Sequence, residues 1–326
     1  MDLLVDIGSS NIKWRFLGED GSIPFPKPIR EDFPYFEVDC EQIVAIVKKI
    51  IDENNPSRVF ISVQMHGYLL LDGDKAVTPY ISWRDQRGKD LTPDFNLTAE
   101  YGVHLKPQLA RRSVQTFRGK FDKLCSLGSF VAYRLTGENI SHITDVFALG
   151  YYNVCKKSQD VYPFSLPQAT YSVQKAGNYN QIEIFVPIGD QQASILGATK
   201  GEELNCWILN LGTAGQICTL ANGFVSGNYE SRPYFNDKTL CTVTGLPAGA
   251  VISQYTDDEI KSRLIEEYSN ALNKLPKRDY LLVTGGLVKY RKPLIEEVLN
   301  AIGVKYIFNY QADAIFGLEI IAKGVN

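Results

Sequence analysis

The sequence predicts an α/β protein built from two related domains with a cleft between them. Three observations carry this. A strand–glycine-turn–strand hairpin, an amphipathic helix, a buried strand and a glycine-bearing turn follow one another over residues 3–67, and the same four elements recur in the same order over residues 207–286. The two hairpin turns, at Gly8 and Gly212, are offset by 204 residues (212 − 8). The chain of 326 residues is 44% hydrophobic and 22% charged, enough apolar material for real cores and too much for disorder. A single strand–turn pair is common by chance, but four elements in one order favour duplication.

Taken in order, Leu3-Leu4-Val5 is a short apolar run ending in Asp6-Ile7-Gly8-Ser9-Ser10-Asn11. Period-two alternation resumes at Ile12, Trp14 and Phe16, which predicts a β-hairpin. The Pro-rich stretch 23–34 predicts loop or edge strand. Ile43, Ile46, Val47, Ile50 and Ile51 stand at helical spacing and predict a helix over Cys40–Asn54, stopped by Asn55-Pro56. Residues 59–63 predict a buried strand running into Gln64-Met65-His66-Gly67. Residues 163–180, rich in Pro, Ser, Tyr and Gln, predict a connecting loop, and 182–186 a strand. The domain boundary is expected there, dividing the chain into 1–186 and 187–326, with a helix over 191–201 opening the second part. Trp207 to Ile217 repeat the hairpin; Ile260, Leu264, Tyr268 and Leu272 form one face of a helix over 257–275. Tyr280-Leu281-Leu282-Val283 is then a strand entering Thr284-Gly285-Gly286.

Composition also excludes function classes. Lys and Arg number 34 against 37 Asp and Glu, a formal charge of −3, without the basic excess that a nucleic-acid groove or an anionic membrane surface requires. The six cysteines are scattered with no CxxC pair and there are three histidines, so neither a zinc site nor a disulfide framework is expected. The beginning of the chain, with Asp2 and a three-residue apolar run, does not read as a signal peptide, and no run reaches transmembrane length. A cytoplasmic location with reduced thiols is the expectation.

The turns carry the chemistry. A glycine followed by hydroxyl residues between two strands lets backbone N–H groups approach an anion, a donor nest that suits phosphate. Two such turns, one per domain, could grip a polyphosphate from both sides; taken singly, each is an ordinary hairpin turn. Asp6 would bring a carboxylate to the same place, so a divalent cation is implied between carboxylate and phosphate, and oxygen ligands favour magnesium. Gly189-Asp190-Gln191-Gln192-Ala193 follows an apolar strand. Asp190 there can accept a proton from a substrate hydroxyl while the amides bind neighbouring hydroxyls, or it can cap the helix that follows. Gln64-Met65-His66-Gly67 and Ser82-Trp83-Arg84-Asp85-Gln86-Arg87 offer the amide, imidazole, carboxylate, guanidinium and indole groups that a polyol site uses. They read equally as a surface turn and a salt-bridged loop.

These motifs, in this order, resemble the FGGY family of carbohydrate kinases. The resemblance rests on the Asp6–Lys13 turn, Gln64-Met65-His66-Gly67, Trp83-x-Asp85-x-Arg87, Gly189-Asp190-Gln191-Gln192-Ala193, Asn210-Leu211-Gly212-Thr213 and Thr284-Gly285-Gly286. Leu135-Thr136-Gly137, Thr144-Asp145 and Ala312-Asp313-Ala314-Ile315-Phe316-Gly317 extend it over essentially the whole chain. It implies two RNase-H-like domains in the actin-like ATPase arrangement, closing over ATP and a sugar. It implies Asp190 as catalytic base and joint metal ligand, and Asp6 as the acid that holds Mg2+ through water. Ser9, Ser10, Asn11, Gly212 and Thr213 match the phosphate turns, and Gly285 and Gly286 the adenosine-site glycines. Gln64, Met65, His66, Trp83, Asp85, Arg87 and Gln191 match the sugar side. The QMHG form is similar to the xylulokinase and sedoheptulokinase branches, so a ketose acceptor is implied. The chain departs from the family in being short between Thr213 and Gly285, where members often carry an oligomer contact, so a homodimer stays open. Leu287 also stands where a third glycine is usual. A catalytically silent sugar- or nucleotide-binding protein on the same fold is the alternative these departures raise.

Overall fold

The computed structural model describes residues 1–89, 98–103, 109–212, 214–310 and 313–325. Thr213 and Ala312 lie outside the described residues.

In the first half, Asp2–Ile7 (β1) and Asn11–Phe16 (β2) form the expected antiparallel hairpin, closed by the Gly8 amide donating to the Asn11 carbonyl at 3.1 Å. Glu19–Pro24 (β3) adds antiparallel to β2, so the Pro-rich stretch leaves from the end of an edge strand. Helix α1 (Cys40–Asn54) starts where the Asp39 carboxylate accepts the Glu41 and Gln42 amides and ends at Asn55 in the left-handed region. Its buried face is Ile43, Val44, Val47, Ile50 and Ile51, packed on Leu3, Val5 and Ile7 of β1 and on Arg58–Val63 (β4), which runs parallel to β1. The described residues between 67 and 174 then carry a satellite layer with its own apolar cluster around Tyr68, Phe147 and Tyr152, together with α2 (Leu127–Thr136), which returns to the main core.

The 163–180 segment is not all loop. Lys175–Tyr179 (β5) forms a hairpin with Ile182–Phe185 (β6), which lies parallel to β4, and Ile188–Gly189 (β7) also pairs with β4. The β5 sequence KAGNY has no alternating apolar face to announce a strand; hydrogen bonding to β6 decides it. Helix α3 spans Asp190–Ala198, ending three residues earlier than expected, because Lys200 and Gly201 sit at positive φ and break it.

The second half contains Cys206–Leu211 (β8), Gly215–Asn222 (β9), Glu230–Pro233 (β10), Lys238–Leu246 (β11), Asp257–Lys274 (α4), Tyr280–Thr284 (β12), Val288–Ile302 (α5), Tyr306–Phe308 (β13) and Ala314–Gly324 (α6). The sheets have orders β5-β6-β4-β1-β2-β3 and β10-β11-β9-β8-β12-β13. In each, three antiparallel strands (β1-β2-β3 and β8-β9-β11) are extended on the first strand by a parallel strand reached through a helix, β4 through α1 and β12 through α4; in the second sheet β10 adds antiparallel to β11. The repeat holds at residue level: Asp6 of β1 lies opposite Ser62 of β4, and Asn210 of β8, 204 positions on (210 − 6), lies opposite Thr284 of β12.

The two sheets are joined where α3, packed on β8 and β12, crosses α6, packed on β1 and β4. A Cβ on Gly317 would stand 1.9 Å from the Ala193 carbonyl oxygen, and one on Gly197 2.6 Å from the Asp313 carbonyl oxygen, so only glycines let these backbones approach. Asp190, at the head of α3, is thereby held facing the second sheet. Among the described residues no helix is long and apolar enough to cross a membrane.

Candidate active site

Two carboxylates sit where the sheets face each other. Asp6, near the end of β1, is buried and accepts the Ser62 hydroxyl at 2.7 Å. Burial pushes its carboxyl up to about 6, against the Ser62 hydrogen bond and the Lys13 charge, with Asp313 adding to the rise. Asp190 is the first residue of α3, partly exposed in the cleft wall, and accepts the Gln191 amide at 2.8 Å. Desolvation, then the negative charge of Asp6, push it up to about 7; the Gln191 amide and Arg232 oppose this. A carboxyl group poised near neutrality fits a general base. Two neighbouring carboxylates short of positive charge also fit a hard divalent cation with oxygen ligands. Among the described residues no cluster of three or more His, Cys, Asp or Glu could hold a metal ion.

A cleft of about 430 Å³ opens beside Asp190. From residues 1–186 its wall includes Ser9, Gln64, Met65, His66 and Trp83; from 187–326 it includes Asp190, Gln191, Asn210, Ala214, Gly215, Gln216, Arg232, Thr244 and Gly245. Sequence positions 9, 64–66, 83 and 190–191 are thus brought together. The turn after β4 is specialised: the Gln64 side-chain amide donates to the Gly8 carbonyl at 3.3 Å, while its buried Oε1 has no hydrogen-bond partner among the described residues. His66 is held at φ 70°, a left-handed conformation that non-glycine residues adopt at a cost of about 1 kcal/mol or more and that often marks a binding site. Gly189 explains how this turn meets Asp190. A Cβ there would lie 2.5 Å from the Met65 sulfur and 2.4 Å from the Thr144 carbonyl oxygen.

Asp85 and Arg87 are placed differently from the sugar-binding role the motif implied. Neither lines the cleft. Asp85 accepts the Phe36 amide at 2.7 Å and the Arg87 guanidinium at 2.7 and 2.9 Å, and Arg87 also reaches Glu37 at 2.5 Å. This buried network ties the Trp83 loop to the strand before α1 and leaves Trp83, 41% exposed, presented at the cleft.

Of the turn residues assigned to nucleotide, Ser9 lines this wall, whereas Ser10, Asn11, Gly212, Gly285 and Gly286 do not. The Ser10 carbonyl accepts the Phe25 amide at 2.9 Å, the Asn11 carbonyl closes the first turn, and the Gly212 carbonyl accepts the Gly249 amide at 3.0 Å. Gly285 and Gly286 precede α5, their carbonyls accepting the Val288 and Lys289 amides at 3.3 and 3.2 Å, so they sit at a helix N-terminus, a place suited to an anion.

The supports of Asp190 are given no role by the sequence reading, although Thr144-Asp145 belongs to the resemblance. The Thr144 hydroxyl accepts the Gly189 amide at 3.1 Å and pairs with His142 Nδ1 at 2.9 Å. Burial lowers His142 to about 4, so it is neutral. Asp145, buried and pushed up to about 6 by desolvation, accepts the Ser126 and Ser141 hydroxyls at 2.6 and 2.8 Å behind the same turn. On the other side Arg232 and Gln216, on strands of the second sheet, reach Gln191.

The two matching sheets, crossed by α3 and α6, form the two-domain actin-like ATPase fold of sugar kinases. The chain is similar to the ligand-bound xylulose kinase of Lactobacillus acidophilus, with a TM-score of 0.78 and 16% identity over 100% of this chain and 90% of that one. It is similar to the gluconate kinase of the same organism (TM-score 0.75, 15% identity, 100% and 90% covered) and to Plasmodium falciparum glycerol kinase with ADP (0.72, 12%, 100% and 90%). No family model matches the sequence, and no curated protein sequence matches it significantly.

Proposed function

We propose that the chain is an ATP-dependent carbohydrate kinase that transfers the γ-phosphoryl group of ATP to a hydroxyl of a ketose such as xylulose or sedoheptulose. The observation that carries this reading is Asp190: a carboxyl group poised near neutral pH, backed by Asp6 and facing a cleft of about 430 Å³ whose wall carries Gln64, His66, Trp83, Gln191 and Arg232, in a sugar-kinase fold. The protein named for gluconate among the structural neighbours shows that the fold alone does not fix the acceptor.

In this mechanism the acceptor lies against Trp83, His66 and Gln64 with one hydroxyl beside Asp190. Asp190 takes the hydroxyl proton as the oxygen attacks the γ-phosphorus; the bond to the β,γ-bridging oxygen breaks and ADP leaves. Gln191 orients the acceptor through its side-chain amide, and the Gly189 turn, held by Thr144, keeps the carboxylate in line. The turns at Gly8 and Gly212 present backbone N–H groups to the phosphates from opposite sheets. Asp6, with Asp190, would hold the magnesium ion, whose chemistry is to neutralise phosphate charge. Division of the chain into 1–186, for sugar, and 187–326, for nucleotide, belongs to the same proposal.

The test is ADP release in a coupled assay over a panel of pentuloses, heptuloses and polyols. At least one ketose should stimulate release at least ten-fold over the sugar-free rate. ATP turnover indifferent to every sugar, or sugar binding without ADP release, would reject the reading, the latter in favour of a silent binding protein.

A further inference from the structure

Glu230 and Arg232 stand two residues apart on β10, so their side chains share one face of the strand. Both are buried, at 2% exposure, and they form an ion pair: Arg232 Nε and Nη2 donate to Glu230 Oε2 at 2.8 and 2.5 Å. The third engaged group, Nη1, donates to Gln191 Oε1, and Gln191 Nε2 in turn donates to Gln216 Oε1 at 3.0 Å. Arg232, Gln191 and Gln216 all line the cleft, and Gln191 adjoins Asp190. Of the five N–H donors of a guanidinium, three are used among the described residues, so two remain for a ligand.

The charge balance decides what that ligand is. Glu230 cancels the Arg232 charge, and Asp190 adds a negative one to the wall. A carboxylate entering here meets no unspent cation, and a buried charge without a partner is costly. A hydroxyl meets free N–H donors, and a site built to bond a hydroxyl discriminates strongly by that bond.

We propose that Arg232, neutralised by Glu230 and held beside Asp190 by Gln191, is a specificity-determining residue that donates to hydroxyls of an uncharged polyol or ketose and bars the corresponding sugar acid. This rests on reading the cleft as the acceptor site, but not on phosphoryl transfer.

The test is calorimetric binding without nucleotide, using matched pairs that differ only at one terminal carbon: glucitol against gluconate, and arabitol against arabinonate. The wild-type protein should bind the neutral member of at least one pair ~10-fold or more tightly than the acid. Glu230→Gln keeps the shape of the partner and removes its charge, and should narrow that ratio at least ten-fold, chiefly by tighter binding of the acid. Equal or better binding of the acid by the wild type, no binding of any neutral member, or an unchanged ratio in Glu230→Gln overturns the proposal. If Glu230→Gln fails to fold by circular dichroism, Arg232→Gln decides instead: it should lose neutral-sugar affinity at least ten-fold without gaining the acid, and unchanged affinity overturns the proposal. A polyol that binds selectively yet elicits no ADP release would defeat the kinase reading and leave this one standing; a gluconate-phosphorylating enzyme would do the reverse.

Discussion

Replacing Asp190 by Asn should abolish phosphoryl transfer and at the same time make the protein more stable, because the position is strained electrostatically for the sake of its chemistry. The carboxyl group rises from 3.8 to about 7 on folding. Roughly three pKa units at 1.36 kcal/mol each give an upper bound of ~4 kcal/mol, and solvent reaching the partly open side chain reduces this to ~2 kcal/mol. The sign follows from linkage. Folded Asp190 holds its proton more tightly than the unfolded chain does, so the penalty is absent below pH 4, grows between about 4 and 7, and is complete above 7. An unfolding entropy of ~2.1 cal/mol/K per residue converts ~2 kcal/mol into a rise of about 3 °C in Tm. Differential scanning calorimetry in magnesium-free buffer at pH 8 and pH 4, beside a coupled kinase assay, reads all of this. The variant should melt higher than the wild type at pH 8, match it at pH 4, and lose turnover by ~10²-fold or more. A variant that is less stable at pH 8, or that retains near-normal turnover, would refute the placement of Asp190 as a desolvated base.

Two further outcomes follow from the same geometry. The pH profile of kcat/KM should fall about ten-fold per unit on its acid limb below about pH 7, where Asp190 is protonated, and the limb should vanish from the residual activity of Asp190→Asn. A profile flat down to pH 5 would show that another group takes the proton. Gly317→Ala places a methyl 1.9 Å from the Ala193 carbonyl oxygen at the α3–α6 crossing. It should cost ~1–3 kcal/mol in urea denaturation and lower kcat by disturbing the head of α3, whereas an unchanged midpoint would mean that the crossing is looser than described.

Much of this fold was legible because its signals are local. The period-two runs flanking Gly8 and Gly212 are buried hairpins, and the helical spacing from Ile43 to Ile51 is the inner face of α1. β5 was not legible, since KAGNY becomes a strand only by pairing with β6. Residues 64–66, 83 and 190–191 do share a cleft, but Asp85 and Arg87, polar residues of the same motif, spend their hydrogen bonds on each other and on Phe36 and Glu37. A motif records which residues occur together, not which way each side chain turns. Arg232 shows the converse. Nothing in Glu230-Ser231-Arg232 separates it from an ordinary alternating strand, and its place in the cleft comes from how the second sheet sits against α3.

Following the phosphorus atom itself gives the sharpest measurement. Wild-type protein, magnesium ATP and a stimulating ketose, observed by 31P NMR, should yield a sugar phosphate ester in one-to-one proportion with ADP, and none with Asp190→Asn. Free phosphate in place of the ester, or ADP formed equally without sugar, would contradict the account.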